Sequence, residues 1–168
     1  MEYVYNIQSP LGMLTLSSDG ENLSGLWIEG QKYFACNLEE NALEQTLPIF
    51  DKVQKWLDIY FSGKEPDFMP PLMLKGSPFQ ISIWNILRGI PYGKTTSYGE
   101  IAEQFKLENN GKHTSARGVG TAVGRNPISI LIPCHRVIGK SGALTGYAGG
   151  ISKKIQLLQF EGQGTAGQ

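Results

Sequence analysis

Apolar and polar residues alternate along residues 3–7 and 13–17, the period of a strand with one buried face, and Ser9-Pro10-Leu11-Gly12 between them has turn composition. Residues 23–28 read as a third strand after the Asp19-Gly20 turn. The period then changes. Ile49, Val53, Trp56, Leu57 and Tyr60 recur at three- and four-residue spacing, which predicts a helix over 48–61 with Gly63 past its end. Nothing in this first half gathers reactive side chains, so its expected job is that of a scaffold. Residues 64–75 contain three prolines and are expected to be a linker without regular structure.

Helical signals dominate the second half. Ser77 is placed to cap a helix, Pro78 suits its first position and Gln80 completes a capping box, so a helix is predicted from there to Arg88, stopping at Gly89. A second capping box, Ser97 with Glu100, opens a helix to about Lys106 with Tyr98, Ile101, Ala102 and Phe105 facing the core. After a polar loop over 108–112, Ser115 caps a short helix through Gly124. A wheel puts Ala116, Val119, Gly120 and Val123 on its core side and Arg117, Gly118, Thr121 and Gly124 outside. Each glycine costs about 1 kcal/mol against alanine in a helix. An outer face of one arginine among very small residues therefore suits close approach to another surface. The helix pair is a helix-turn-helix candidate. Residues 128–132 predict a buried strand, and residues 152–161 a last helix with Gly162 as its cap. The expected fold is an α/β N-terminal domain over 1–75 followed by a mainly α C-terminal domain over 76–162 containing the helix-turn-helix. The tail over 163–168 is expected to be disordered.

Charge sharpens this division. Lysines and arginines balance aspartates and glutamates over the whole chain, at 15 each, yet residues 1–75 carry 5 basic against 11 acidic and residues 76–168 carry 10 against 4. The second half is thus suited to a polyanion. No apolar run approaches the roughly 18 residues of a membrane span, and no basic stretch followed by an apolar one reads as a secretory signal. Two distant cysteines, without a CxxC pair or clustered histidines, argue against zinc and fit a reducing compartment. The cytoplasm is the expected location, and neither metal nor cofactor is expected.

The chemistry concentrates at Pro133-Cys134-His135-Arg136-Val137. A buried free cysteine is ordinarily just a small apolar residue. Here an imidazole and a guanidinium follow it, and basic or cationic neighbours raise the supply of the nucleophilic thiolate. Neighbours in an extended chain point to opposite faces, so His135 reaches the sulfur only if the chain turns there or through a bridging water. Residues 139–150 hold five glycines around Tyr147 and Ala148, the composition of a pocket wall over a flat ligand or of a hairpin loop. Glu161 sits in the last turn of its helix, where a negative charge is disfavoured by roughly 0.3–1 kcal/mol, which suggests another duty such as orienting His135.

The Pro-Cys-His-Arg-Val run, preceded by Arg125-Asn126-Pro127 and followed by Gly146-Tyr147-Ala148-Gly149-Gly150, resembles the O6-alkylguanine-DNA alkyltransferases over about residues 79–162. The resemblance implies a ribonuclease H-like first domain and an irreversible, single-turnover transfer of an alkyl group from O6-alkylguanine, with O4-alkylthymine a second candidate, to Cys134. It implies that His135 is a water-mediated base, that Glu161 holds it, and that Asn126 supports the turn carrying the cysteine. Tyr98 would donate to the departing guanine. Arg117 would fill the gap left by a flipped base in the minor groove, with Ser115, Ala116 and Thr121 on the same DNA-binding surface. Tyr147, Ala148, Gly149 and Val137 would wall the pocket. The implied partner is alkylated double-stranded DNA, bound by a monomer. The chain departs from the family pattern in a longer loop over 109–113 and in Ala148, where some members carry serine. Two other readings stand beside this one. A cysteine hydrolase with a Cys134–His135 dyad would need adjacent residues to converge, and a non-catalytic lesion sensor would not need the reactive cysteine.

Overall fold

The computed structural model describes residues 1–36, 38–139, 147, 148 and 150–162. Three antiparallel strands open the chain: β1 (Tyr3–Ser9), β2 (Gly12–Ser18) and β3 (Leu23–Ile28). A two-residue β4 (Leu43–Glu44) pairs parallel to β1, giving the order β3-β2-β1-β4. Cross-strand partners share a face, so the pairs Tyr5–Leu16, Ile7–Leu14, Leu16–Leu26 and Leu14–Ile28 build one apolar surface. Helix α1 (Pro48–Phe61) packs on that surface, with Phe50 stacked on Tyr5 at 5.8 Å between ring centroids. Its buried side chains are those expected, with Phe50 added.

The second half holds α2 (Pro78–Arg88), a two-residue β5 (Thr96–Ser97), α3 (Tyr98–Glu108) and α4 (Ala116–Gly124). A 3-10 turn at Cys134–Arg136, β6 (Val137–Ile138) and α5 (Ile151–Phe160) follow. The Ser77–Gln80 capping box forms in full. At α3 only half of one forms. Ser97 caps the Glu100 amide, while the Glu100 carboxylate turns to Thr96 Oγ1 at 2.8 Å. Trp84 of α2 donates its indole N–H to Ala122 O of α4 at 2.9 Å, and Phe79 meets Phe105 edge-on at 5.1 Å. Among the described residues no helix is long and apolar enough to cross a membrane.

Three expectations need correction. Helix α4 buries Val119, Ala122 and Val123, whereas Ala116, its first residue, is exposed and Gly120 is only partly covered. Trp84 of α2 meets the helix at Ala122, on the buried 119–122–123 stripe. Residues 128–132 are buried but not a strand. Ile128 makes a single bridge to Leu26, the chain then turns back on itself, and Ile130 adopts a φ of +73°. A β-branched residue there costs about 1–3 kcal/mol and persists only because its surroundings fix it. The linker, finally, forms no helix or strand, as expected, but it is docked. Leu23 N donates to Pro71 O at 2.8 Å and Met73 N to Leu23 O at 2.9 Å, so the prolines lead into a docked segment.

That docking covers a liability. As the end strand of its sheet, β3 exposes a row of backbone groups. Residues 71–73 occupy one end of it, residues 127–129 the middle, through Leu26 N to Pro127 O and Ser129 N to Leu26 O, and Gln31 takes both backbone groups of Ile28. All six residues of β3 are buried in consequence, and a single apolar core runs from Ile7 through Trp84 to Leu157.

Candidate active site

The loop ahead of the cysteine is closed by a side chain. Asn126 Nδ2 donates to Ile132 O at 2.8 Å, and its Oδ1 accepts from Ile128 N at 3.0 Å, so one amide brackets the whole turn. The chain leaves this bracket into the 3-10 turn, where Arg136 N bonds to Pro133 O. The turn answers the geometric objection to adjacent reactive residues. Cys134 faces a cavity of about 580 Å³, while His135 and Arg136 swing behind it towards α5.

Behind the cysteine lies a saturated carboxylate. Glu161 is the C-cap of α5, and its side chain points into the core. Its Oε2 lies 2.5 Å from His135 Nε2 and accepts from the Tyr60 hydroxyl at 2.6 Å. Its Oε1 accepts from Arg136 Nε at 2.7 Å and Gly93 N at 3.3 Å. Burial alone would raise this carboxyl, but its bonds to His135 and Arg136 outweigh that and hold it at about 2. Burial pushes the His135 pKa below its ordinary value, so the ring is neutral at neutral pH. With a carboxylate at Nε2, the ring proton is assigned there and the lone pair to Nδ1.

Burial also pushes the Cys134 thiol up, although Asn126, Lys154 and Tyr147 pull it the other way. Burial outweighs the pull of its neighbours, so the resting form is the thiol, and the cationic help expected from the adjacent Arg136 comes instead from Lys154. Arg136 in particular serves Glu161 and the Ile90 carbonyl, 2.7 Å from Nη1. Lys154 of α5, fully buried, donates to Val137 O at 2.5 Å and is pushed down to about 8 by its burial, with the nearby Cys134 opposing the shift. Two buried side-chain atoms have no hydrogen-bond partner among the described residues, His135 Nδ1 and the Tyr147 hydroxyl.

Tyr98, Thr121, Tyr147 and Ala148 line the cavity with Cys134, as do Gly120 and Gly124 of α4. Gly30, Lys32 and Tyr33 of the first half also line it, and Lys32 N bonds to Ala148 O at 2.9 Å. Val137 does not line it. It is fully buried in β6, paired with Thr96. Gly149 lies outside the described residues, as does the tail over 163–168. Ser115, which caps α4, and Ala116, Arg117 and Thr121 within it are all exposed, with the Ser115 hydroxyl accepting from Gly118 N at 3.0 Å; Arg117 and Thr121 share one face. Thr121 is exposed and also lines the cavity.

Tyr60, Lys154, Lys32 and Tyr33 were not singled out by sequence. Two of them left a signal. Tyr60 stands on the predicted core face of α1, and a buried phenol needs a partner for its hydroxyl. Lys154 and Glu161 fall on the apolar stripe of α5 with Leu157 and Leu158.

Comparison with known proteins accords with this architecture. Residues 3–74 match the 6-O-methylguanine DNA methyltransferase, ribonuclease-like domain, and residues 78–163 match the 6-O-methylguanine DNA methyltransferase, DNA binding domain. The methylated-DNA–protein-cysteine methyltransferase of Mycobacterium leprae is 43% identical over 164 residues, covering 96% of this chain and 93% of that protein. The one from Haemophilus influenzae is 44% identical, covering 91% of this chain and 82% of its own. The crystal structure of Mycobacterium tuberculosis OGT in complex with DNA superposes with a TM-score of 0.83 at 41% identity, covering 96% of this chain and 93% of that one. Matched in both halves and across nearly its whole length, the chain belongs to the 6-O-methylguanine DNA methyltransferase family.

Proposed function

We propose that this protein repairs duplex DNA by moving the alkyl group of O6-alkylguanine directly and irreversibly onto Cys134, once per molecule. The observation that carries the reading is Cys134 facing the 580 Å³ cavity with the buried His135–Glu161 pair behind it. The thiol gives its proton to the His135 Nδ1 lone pair, and a buried ring nitrogen without a partner among the described residues is a natural site for a water that bridges to the sulfur. Sulfur then attacks the alkyl carbon, the S–C bond forming as the C–O6 bond breaks. Tyr98, on the cavity wall, donates a proton to the departing guanine and is reprotonated from solvent. The thioether has no leaving group, so the protein is consumed.

Delivery of the base falls to α4. Its exposed face carries Arg117 among small residues and runs into the cavity at Thr121 and Gly124. Such a face suits the minor groove, where close backbone approach matters. Rotating a base out of the stack costs a few kcal/mol, less for a weakly paired lesion, and Arg117 offsets part of that by filling the gap. The second half then carries the chemistry and the DNA contacts, and acts as a helix-turn-helix unit.

Incubation with a duplex bearing one O6-methylguanine tests the reading. The expected result is one methyl group per molecule, located on Cys134 by mass spectrometry. Repeated transfers per molecule, or an unmodified Cys134 beside repaired DNA, overturn it.

A further inference from the structure

We propose that Tyr60, contributed by α1 in the first half of the chain, is a positioning residue for the transfer reaction: its hydroxyl occupies the Glu161 carboxylate and thereby limits how strongly that carboxylate draws on the His135 ring. The inference rests on the alkyl-transfer reading and assigns the first half a part in the chemistry.

A phenol has one proton to give. The Tyr60 oxygen lies 2.6 Å from Glu161 Oε2, 3.3 Å from Leu157 O and 3.4 Å from His135 Nε2, so the carboxylate receives it. The ring cannot drift from this pose. Trp56 stacks on it at 5.3 Å, and Phe61 and Tyr92 meet it edge-on at 5.4 and 6.4 Å. Tyr60 also stands edge-on to His135, at 6.5 Å. It does not act as a base, because burial and the adjacent Glu161 push its phenol far above the ordinary range.

Counting donors shows what the hydroxyl does. Glu161 Oε1 is filled by Arg136 and Gly93, and Oε2 by His135 and Tyr60. A carboxylate with all four positions used is a weaker acceptor for each donor, and partners behind a functional histidine set its basicity. Without the Tyr60 proton, Oε2 would serve His135 alone and favour the imidazolium more strongly. A ring already protonated cannot take the thiol proton, so Tyr60 keeps His135 available as a base at lower pH. The other groups around the pair are Arg136, Lys154, Cys134, Tyr92 and Tyr147. Replacing Tyr60 by phenylalanine leaves every one of them in place.

The test is the pH profile of single-turnover transfer from O6-methylguanine duplex, for wild type and Tyr60→Phe. The expected result is full end-point stoichiometry in both, with the acidic limb of the variant moved to higher pH by about half a unit to one unit. An unshifted limb, with only a lower melting temperature or a smaller active fraction, overturns the proposal and leaves Tyr60 a packing residue. Imidazole 15N titration supplies a readout independent of transfer. The chain has two histidines, so His113→Gln leaves His135 as the single signal. Its protonation midpoint is expected to rise in Tyr60→Phe, and an unchanged midpoint overturns the proposal even if the alkyl-transfer reading stands. If wild-type protein transfers nothing, that reading fails while the titration still decides the role of Tyr60. Should Tyr60→Phe not fold, 3-fluorotyrosine at position 60, a stronger donor of the same shape, is expected to move the midpoint down, and no movement overturns the proposal.

Discussion

The floor of the cavity and its rim handle polar groups in opposite ways. At the floor, His135, Arg136, Lys154 and Glu161 are all buried; Glu161 binds both His135 and Arg136, and Lys154 donates to the Val137 carbonyl. At the rim, Ser115, Arg117 and Thr121 are exposed on a short helix with three glycines. Buried ionic groups cost desolvation that good geometry must repay. Exposed ones cost little and hold little until a partner arrives. The floor is therefore preorganised, with its strength spent before the substrate comes. The rim is inexpensive to keep and, in the function proposed above, gains its energy only on contact with DNA.

Four substitutions test this contrast. Cys134→Ala should abolish transfer entirely while leaving affinity for lesion-bearing duplex intact, measured by gel shift beside the methyl-transfer assay. Loss of binding as well would mean that floor and rim are not separable. Glu161→Gln should cost about 3–5 kcal/mol of stability, since it leaves Arg136 buried without its counter-charge, and should slow transfer on the order of a hundredfold. It also has a pH signature. An acid whose pKa is depressed in the fold stabilises the fold above its ordinary value and loses that contribution as pH falls through the folded one. With Glu161 at about 2 against an ordinary 4.5, about 3 kcal/mol should drain away as pH drops from roughly 4.5 towards 2. Urea unfolding across that window should show the slope in wild type and lose most of it in Glu161→Gln.

Smaller effects are expected at the rim. Arg117→Ala should weaken duplex binding about tenfold and make its dependence on salt shallower by about one counterion, with alkylation by free O6-benzylguanine unchanged. A slower reaction with the free base would place Arg117 on the floor side of the contrast. Gly124→Ala is the most delicate. A Cβ there meets nothing within 4 Å, so the fold should gain about 0.5 kcal/mol from helix propensity. Duplex affinity should fall slightly, because the added methyl stands where the groove must approach. A gain in both would show that the glycine serves no close contact.

How much of this was legible in sequence followed the range of the forces involved. Ser77, Gln80 and Ser115 act within three residues, and the bounds of α2 and α4 could be read from them. The period of α1 gave its buried face. The 128–132 segment misled because β-branched apolar residues are as well suited to a buried turn as to a strand, and the Asn126 bracket that decides between them is a side-chain matter. The wheel for α4 failed at Ala116 for a similar reason, since periodicity fixes which residues share a face but not how far the neighbouring helix extends. Cys134, His135 and Glu161 came from a motif and a resemblance. Tyr60 could not, because its bond to Glu161 spans 101 positions and no local pattern records it.

That span bears on when reactivity begins. Cys134, His135 and Glu161 leave the ribosome in that order, and the carboxylate bonded to His135 comes 26 residues after it. Until α5 has been synthesised and has docked against α1, the chain carries an ordinary cysteine with an unsupported imidazole beside it. A protein that can be used only once has reason to delay activation in this way, so that no molecule is spent on a stray electrophile before it is able to hold DNA.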